Sequence, residues 1–281
     1  MLKRNWLLSA LAIAGSWQLA APVFAQALLP YTFNVDAKDF EQNGAILVQD
    51  VVQLVRFEQY GLALPRAKLA TQLAPNLFES WFILGSLYIQ QQELDRGIEV
   101  LLKAQELAPE EAGILFTLGS AYFQKGRYEE ALAVLEKGLS IDSESIEALF
   151  DLGNTYLMLQ RYPKAIASYE IAFAQEKEFW PAVNNIGLVK YEQGDIEEAI
   201  AKWRSALAVE PEAVEPKLAI AVALYTRGEQ ERAWQLGEEA LSLDRKYAEL
   251  DFLKENLWGE RLLADAAGFL ATPRIQALVS R

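Results

Sequence analysis

Two pairs of adjacent carboxylates, Glu129-Glu130 and Glu197-Glu198, are the side chains in this sequence best able to do proton chemistry. Neighbouring acids can divide acid and base roles when their surroundings push their pKa values apart. Both pairs, however, come just after turn residues and open helical stretches. Acidic side chains favour that position because it is the positive end of the backbone dipole, and a solvated helix start accounts for them without catalysis. The chain has no histidine and no cysteine. That removes imidazole bases, thiolate nucleophiles, disulfides and the usual zinc or haem ligands. No strand is read, so no glycine-rich phosphate loop follows one. No catalytic residue, cofactor-binding residue or metal ligand is therefore assigned. An enzyme with a carboxylate-based site is the weaker alternative to a binding protein.

Charge narrows the partner. The 281 residues carry a net charge of −13, and without Lys3 and Arg4 the balance is −15. Nucleic acid as a partner would call for a basic stripe. Anionic lipid heads are likewise disfavoured. With 52% hydrophobic residues the chain has ample material for a core.

The elements that position everything follow from a spacing. Pro75, Pro109 and Pro211 sit 34 and then 102 positions apart, and Gly85, Gly119, Gly153 and Gly187 recur every 34. A fixed period of this length means stacked repeats rather than one globular core. In the unit from Phe78, Trp81, Leu84, Gly85 and Tyr88 share one helical face. The polar turn Gln90–Glu93 follows, and Gly97, Leu101 and Ala104 mark a second helix before Pro109. Each unit is thus two antiparallel helices joined by a short turn. Gly85 is expected to face large side chains of the second helix, because packed interiors leave no room for added methylenes. Gly126, Gly194 and Gly228 punctuate later turns, and Asp195 with Glu198 has the form of a capping box.

The pattern W-x-x-L-G-x-x-Y, then Ala and Pro, resembles the tetratricopeptide repeat (TPR), most fully at Trp81, Leu84, Gly85, Tyr88, Ala104 and Pro109. The resemblance implies an all-α, right-handed superhelical solenoid of about six helix-turn-helix units over residues 44–247, the best of them 78–213. The end units depart from the pattern. Asp50-Val51 stands where Leu-Gly belongs, and Ala221 and Gly237 replace the Gly and the large residue. Weak terminal units are expected where a stack is capped.

In that family the first helix of each unit lines a concave groove, with its second, fifth, ninth and twelfth positions turned inward. The fifth positions are Phe82, Phe116, Phe150 and Asn184; the twelfth are Ile89, Phe123, Leu157 and Tyr191; the ninth are Ser86, Ser120, Asn154 and Leu188. The family's clamp for acidic tails needs Lys, Asn and Arg where this chain has Phe82, Ser86, Phe116 and Phe123. An apolar or amphipathic peptide is expected instead, with Asn154 and Asn184 bonding its backbone.

At the amino end, Lys3-Arg4, the apolar run Trp6–Ala21 and Val23-Phe24-Ala25 have the layout of a secretory signal peptide over residues 1–25. Processing before Gln26 would export the protein to a periplasm or thylakoid lumen; retention would leave an anchor, the only expected membrane contact. Residues 26–43 form a lead-in. In residues 248–281, Leu250, Leu253, Leu257, Trp258 and Leu262 make a stripe that predicts one capping helix over 248–267. Thr272-Pro273 then begins a short tail helix. The string Leu253–Leu262 is similar to a segment of thylakoid-associated TPR proteins of cyanobacteria and plastids. That similarity implies a role as a membrane-anchored assembly or chlorophyll-synthesis factor. The partner protein is not specified by the sequence.

Overall fold

The computed structural model describes residues 37–280; residues 1–25, expected to be a signal peptide or anchor, lie outside the described residues. Every regular element among them is helical. In chain order they are α1 (Ala37–Arg56), α2 (Tyr60–Leu73), α3 (Phe78–Gln90), α4 (Leu94–Leu107), α5 (Ala112–Gln124), α6 (Tyr128–Ile141), α7 (Ile146–Met158) and α8 (Tyr162–Gln175). They continue with α9 (Trp180–Gln193), α10 (Ile196–Val209), α11 (Val214–Thr226), α12 (Gln230–Leu243), a 3-10 turn (Arg245–Ala248), α13 (Leu250–Glu255), α14 (Glu260–Leu270) and α15 (Pro273–Val279). From α3 to α12 the helices pack as antiparallel pairs, and each pair stacks on the next. First helices of successive units touch one another more than second helices do. The solenoid therefore curves toward α3, α5, α7, α9 and α11, which line its concave face.

The glycine period has the steric cause expected of it. A Cβ on Gly85 would lie 2.6 Å from Leu101 Cγ, and one on Gly119 2.6 Å from Leu135 Cγ. At Gly153 the facing side chain is Tyr169, and at Gly187 it is Trp203, both fully buried. A missing methyl on the first helix is thus matched by a growing side chain sixteen residues on. In the first unit the sizes are reversed: Val51 and Ala67 are both fully buried in one cluster.

A second period appears only in the backbone. Glu58, Gln92, Gly126, Gln160, Gly194 and Gly228 all have positive φ, between 56° and 88°, at intervals of 34 residues. Each turn needs one left-handed residue so that the chain can reverse. The following amide then reaches back into the first helix, as Glu93 N donates to Tyr88 O at 2.9 Å and Arg127 N to Tyr122 O at 2.9 Å. Three turns use glycine for this; three use Glu or Gln and carry the strain.

Residues 248–267 are not one helix. The chain breaks between α13 and α14, where Leu257 adopts φ 65° and Trp258 N donates to Leu253 O at 3.1 Å. This is the repeat turn once more, so a shortened helical hairpin follows the last full unit. Its stripe is divided: Leu253, Trp258 and Leu262 are buried, while Leu250 is exposed. The tail helix α15 forms behind Thr272, but the Thr272 hydroxyl bonds Phe269 O at 2.8 Å instead of capping it. Asp195 does not cap α10 either; it and Glu198 turn to Lys190, at 3.8 and 2.9 Å.

Candidate functional site

The carboxylate pairs are tied into surface ion pairs. Glu129 meets Arg161 at 2.7 Å, Glu197 meets Arg227 at 2.7 Å, and Glu130 meets Arg127 at 2.8 Å. Hydrogen bonds from Arg127 and Lys190 hold Glu130 and Glu198 below the usual carboxylate range. Side chains so placed keep their negative charge and make poor proton donors.

The phenylalanines Phe82, Phe116 and Phe150 are half-buried, one in each of α3, α5 and α7. Phe116 covers Gly138 on α6, where a Cβ would lie 2.5 Å from its ring. Phe150 meets Tyr169 at a centroid distance of 5.6 Å and Phe179 edge-on at 5.2 Å. Phe123 is also half-buried, 5.3 Å from the Tyr128 ring. Ile89 does not line the groove. It is buried against Gly97 on α4 and closes its own helix pair.

Toward the carboxy half the face is covered by the chain itself. Helix α14 packs on α9 and α11. Its N-terminus is held by Glu192 of α9, whose carboxylate accepts from Arg261 N at 3.2 Å and Leu262 N at 3.0 Å. A carboxylate there satisfies amides that no intrahelical carbonyl can reach. Gly259 makes the approach possible, because a Cβ would overlap the Glu192 side chain. Tyr191 lies beneath α14, 1% exposed, and its hydroxyl donates to Asp265 at 2.7 Å. Burial and Asp265 together push that hydroxyl up.

The asparagines also have partners within the chain, not open positions facing a peptide. Asn154 Oδ1 accepts from the Tyr169 hydroxyl at 2.7 Å and from Asn185 at 2.9 Å. Asn184, 1% exposed, donates to Asn185 at 3.1 Å. Asn154 on α7 and Asn185 on α9 are joined in this way, while the Asn184 Oδ1 is buried without a hydrogen-bond partner among the described residues. The network ends on Glu215 of α11, which accepts from Trp258 Nε1 at 2.9 Å. Burial raises the Glu215 carboxyl to about 7, and the bonds from Trp258 and Asn184 only partly offset it. Sequence reasoning passed over Glu215 and Glu192. For Glu215 the available signal was a carboxylate at the start of a largely apolar helix; Glu192, in the polar stretch leading into a turn, carried none.

What stays open is a set of clefts around α13 and its turn. One of about 850 Å3 runs between Gln92, Phe123, Tyr128 and Met158 on one side and Asp251 and Lys254 on the other. A second, of about 310 Å3, is walled by Phe123, Phe150, Trp180, Asn154, Glu215 and Glu255. The clefts offer aromatic, amide and carboxylate surface.

Family models for the TPR repeat match residues 119–160, and for the tetratricopeptide repeat residues 184–248. A third, for anaphase-promoting complex, cyclosome, subunit 3, matches residues 58–138. The chain is a tetratricopeptide-repeat protein. No curated protein sequence matches this TPR protein. Among solved structures it is similar to PilF of Pseudomonas aeruginosa, with TM-score 0.63 and 15% identity over 78% of this chain and 99% of that one. It is similar to MamA from Desulfovibrio magneticus RS-1, with TM-score 0.57 and 18% identity over 60% and 96%. YrrB, described as a TPR protein with an unusual peptide-binding site, gives TM-score 0.53 and 19% identity over 68% and 97%. At these identities the likeness of the TPR protein to each is one of fold.

Proposed function

We propose that this chain is a non-catalytic scaffold that holds an apolar or amphipathic segment of a partner protein. The segment lies on the uncovered part of the concave face, along α3, α5 and α7. The supporting observation is the row Phe82, Phe116 and Phe150, half-buried at intervals of 34 residues on the face where the first helices converge. Partly exposed aromatics in register supply rigid contact area at little entropic cost. The basic start and apolar run of residues 1–25 further support work across a membrane from the cytosol, in assembly of a membrane-associated complex. Capture with crosslinking from source cells tests the binding. Phe82→Ala with Phe116→Ala is expected to abolish partner capture while the helical signal is kept; unchanged capture removes the groove. Mass spectrometry of the mature amino terminus tests the placement, a start at Gln26 meaning export and a start at Met1 an anchor.

A further inference from the structure

The smaller cleft has an unusual pairing of walls. Phe123, Phe150 and Trp180 give it aromatic faces, and Glu215 and Glu255 give it carboxylates. None of its described lining residues is basic. Glu215 is 8% exposed, and its donors, the Trp258 indole and the Asn184 amide, are both neutral. A glutamine in that position would accept the indole hydrogen equally well, without a buried charge to desolvate. A carboxylate is costly there unless a cation reaches it. The cleft is open to solvent, at the lower end of the size range of ligand pockets. Aromatic faces around a carboxylate are the surroundings that a guanidinium or ammonium group prefers, through stacking, cation–π attraction and charge-assisted hydrogen bonds. A chain with a net charge of −13 draws basic segments toward it from a distance.

We infer that this cleft is the seat of a basic side chain, arginine or lysine, carried by the bound partner segment. This rests on the groove reading above and adds to it. The apolar part of the partner lies along the phenylalanine row, and its cationic residue anchors the register at Glu215, with Trp180 and Phe150 flanking the charge.

The test uses the full chain at pH 8 and two small probes of nearly equal shape, N-acetyl-arginine amide and N-acetyl-citrulline amide. Binding is followed by the indole NMR signals of Trp180 and Trp258. The arginine probe is expected to bind at least tenfold more tightly than the citrulline probe. In E215Q, whose amide oxygen still accepts from Trp258, the preference is expected to fall below twofold with an unchanged helical spectrum. Equal affinities, no arginine-induced shift at Trp180, or a preference that persists in E215Q/E255Q would each overturn the proposal. The groove reading is judged separately by the Phe82→Ala/Phe116→Ala capture. If those substitutions abolish capture while the arginine probe shows no preference, the groove stands and the basic anchor falls.

Discussion

The ring of Phe269 fills the space over Gly237, a position at which the four preceding units carry Leu101, Leu135, Tyr169 and Trp203; a Cβ on that glycine would collide with the ring tip. Phe269 is fully buried and meets Tyr225 edge-on at 5.5 Å. The side chain missing from α12 is thus supplied by α14. Phe269→Ala is expected to cost about 3–5 kcal/mol, as for other fully buried aromatics. Gly237→Leu, which restores the repeat pattern, is expected to destabilise as well, because it evicts Phe269. Urea denaturation measures both, and hydrogen exchange should place the loss in α14 and α15.

The strained turns offer the opposite change. Gln92 and Gln160 occupy left-handed backbone at φ 62° and 56°. Gln160→Gly relieves a conformation that L-residues resist, against a smaller entropic loss, so a gain of about 0.5–1 kcal/mol is expected. Gly228→Ala, at φ 82° with open space around it, should lose a similar amount from backbone strain alone. Thermal melts of the two variants should move in opposite directions.

Stability should fall as pH rises through the weakly acidic range. The Glu215 carboxyl sits at about 7 in the fold against an ordinary 4.5, chiefly because it is buried. Asp151 is raised to about 6 by burial and by Glu147. Below about pH 3 both acids are protonated in the folded and unfolded chains alike. Between those values the unfolded chain gives up protons that the fold keeps, and above pH 7 the penalty is complete. E215Q is therefore expected to gain on the order of 3 kcal/mol at pH 8 and almost nothing at pH 4. A pH series of denaturation curves that shows no such convergence would contradict this.

Glu192 and Gly259 form the clasp that seats α14. Glu192→Ala removes the acceptor for two backbone amides and should cost about 1–2 kcal/mol. Gly259→Ala should cost at least as much, since its methyl group meets the Glu192 side chain. Faster exchange at the Arg261 and Leu262 amides, with α3–α8 unaffected, is the expected signature.

The helical pairs were legible because a 34-residue period of Gly, Pro and aromatic residues reflects direct packing, as Gly153 against Tyr169 shows. The strain at Gln92 and Gln160 was not, because a polar turn residue does not disclose its φ. The break after α13 was hidden for a related reason: Leu257 and Trp258 fit a helical stripe, and only the turn reveals that they flank a reversal. Asn184 and Tyr191 occupy register positions expected to face an open groove, and both are buried. Tyr191 bonds Asp265 of α14, 74 positions away in sequence, and no local pattern signals a contact at that distance.

Helix α14 touches both α9 and α11, and so spans a joint between neighbouring units. A stack whose members meet only their neighbours behaves like a coil spring, with every joint free to open or close a little. A strut across one joint stiffens the carboxy end and leaves the compliance to the amino-terminal turns of the coil. Pulling or twisting the molecule would therefore open the pitch beside the phenylalanine row first, while the end bearing Trp258 and Glu215 kept its shape.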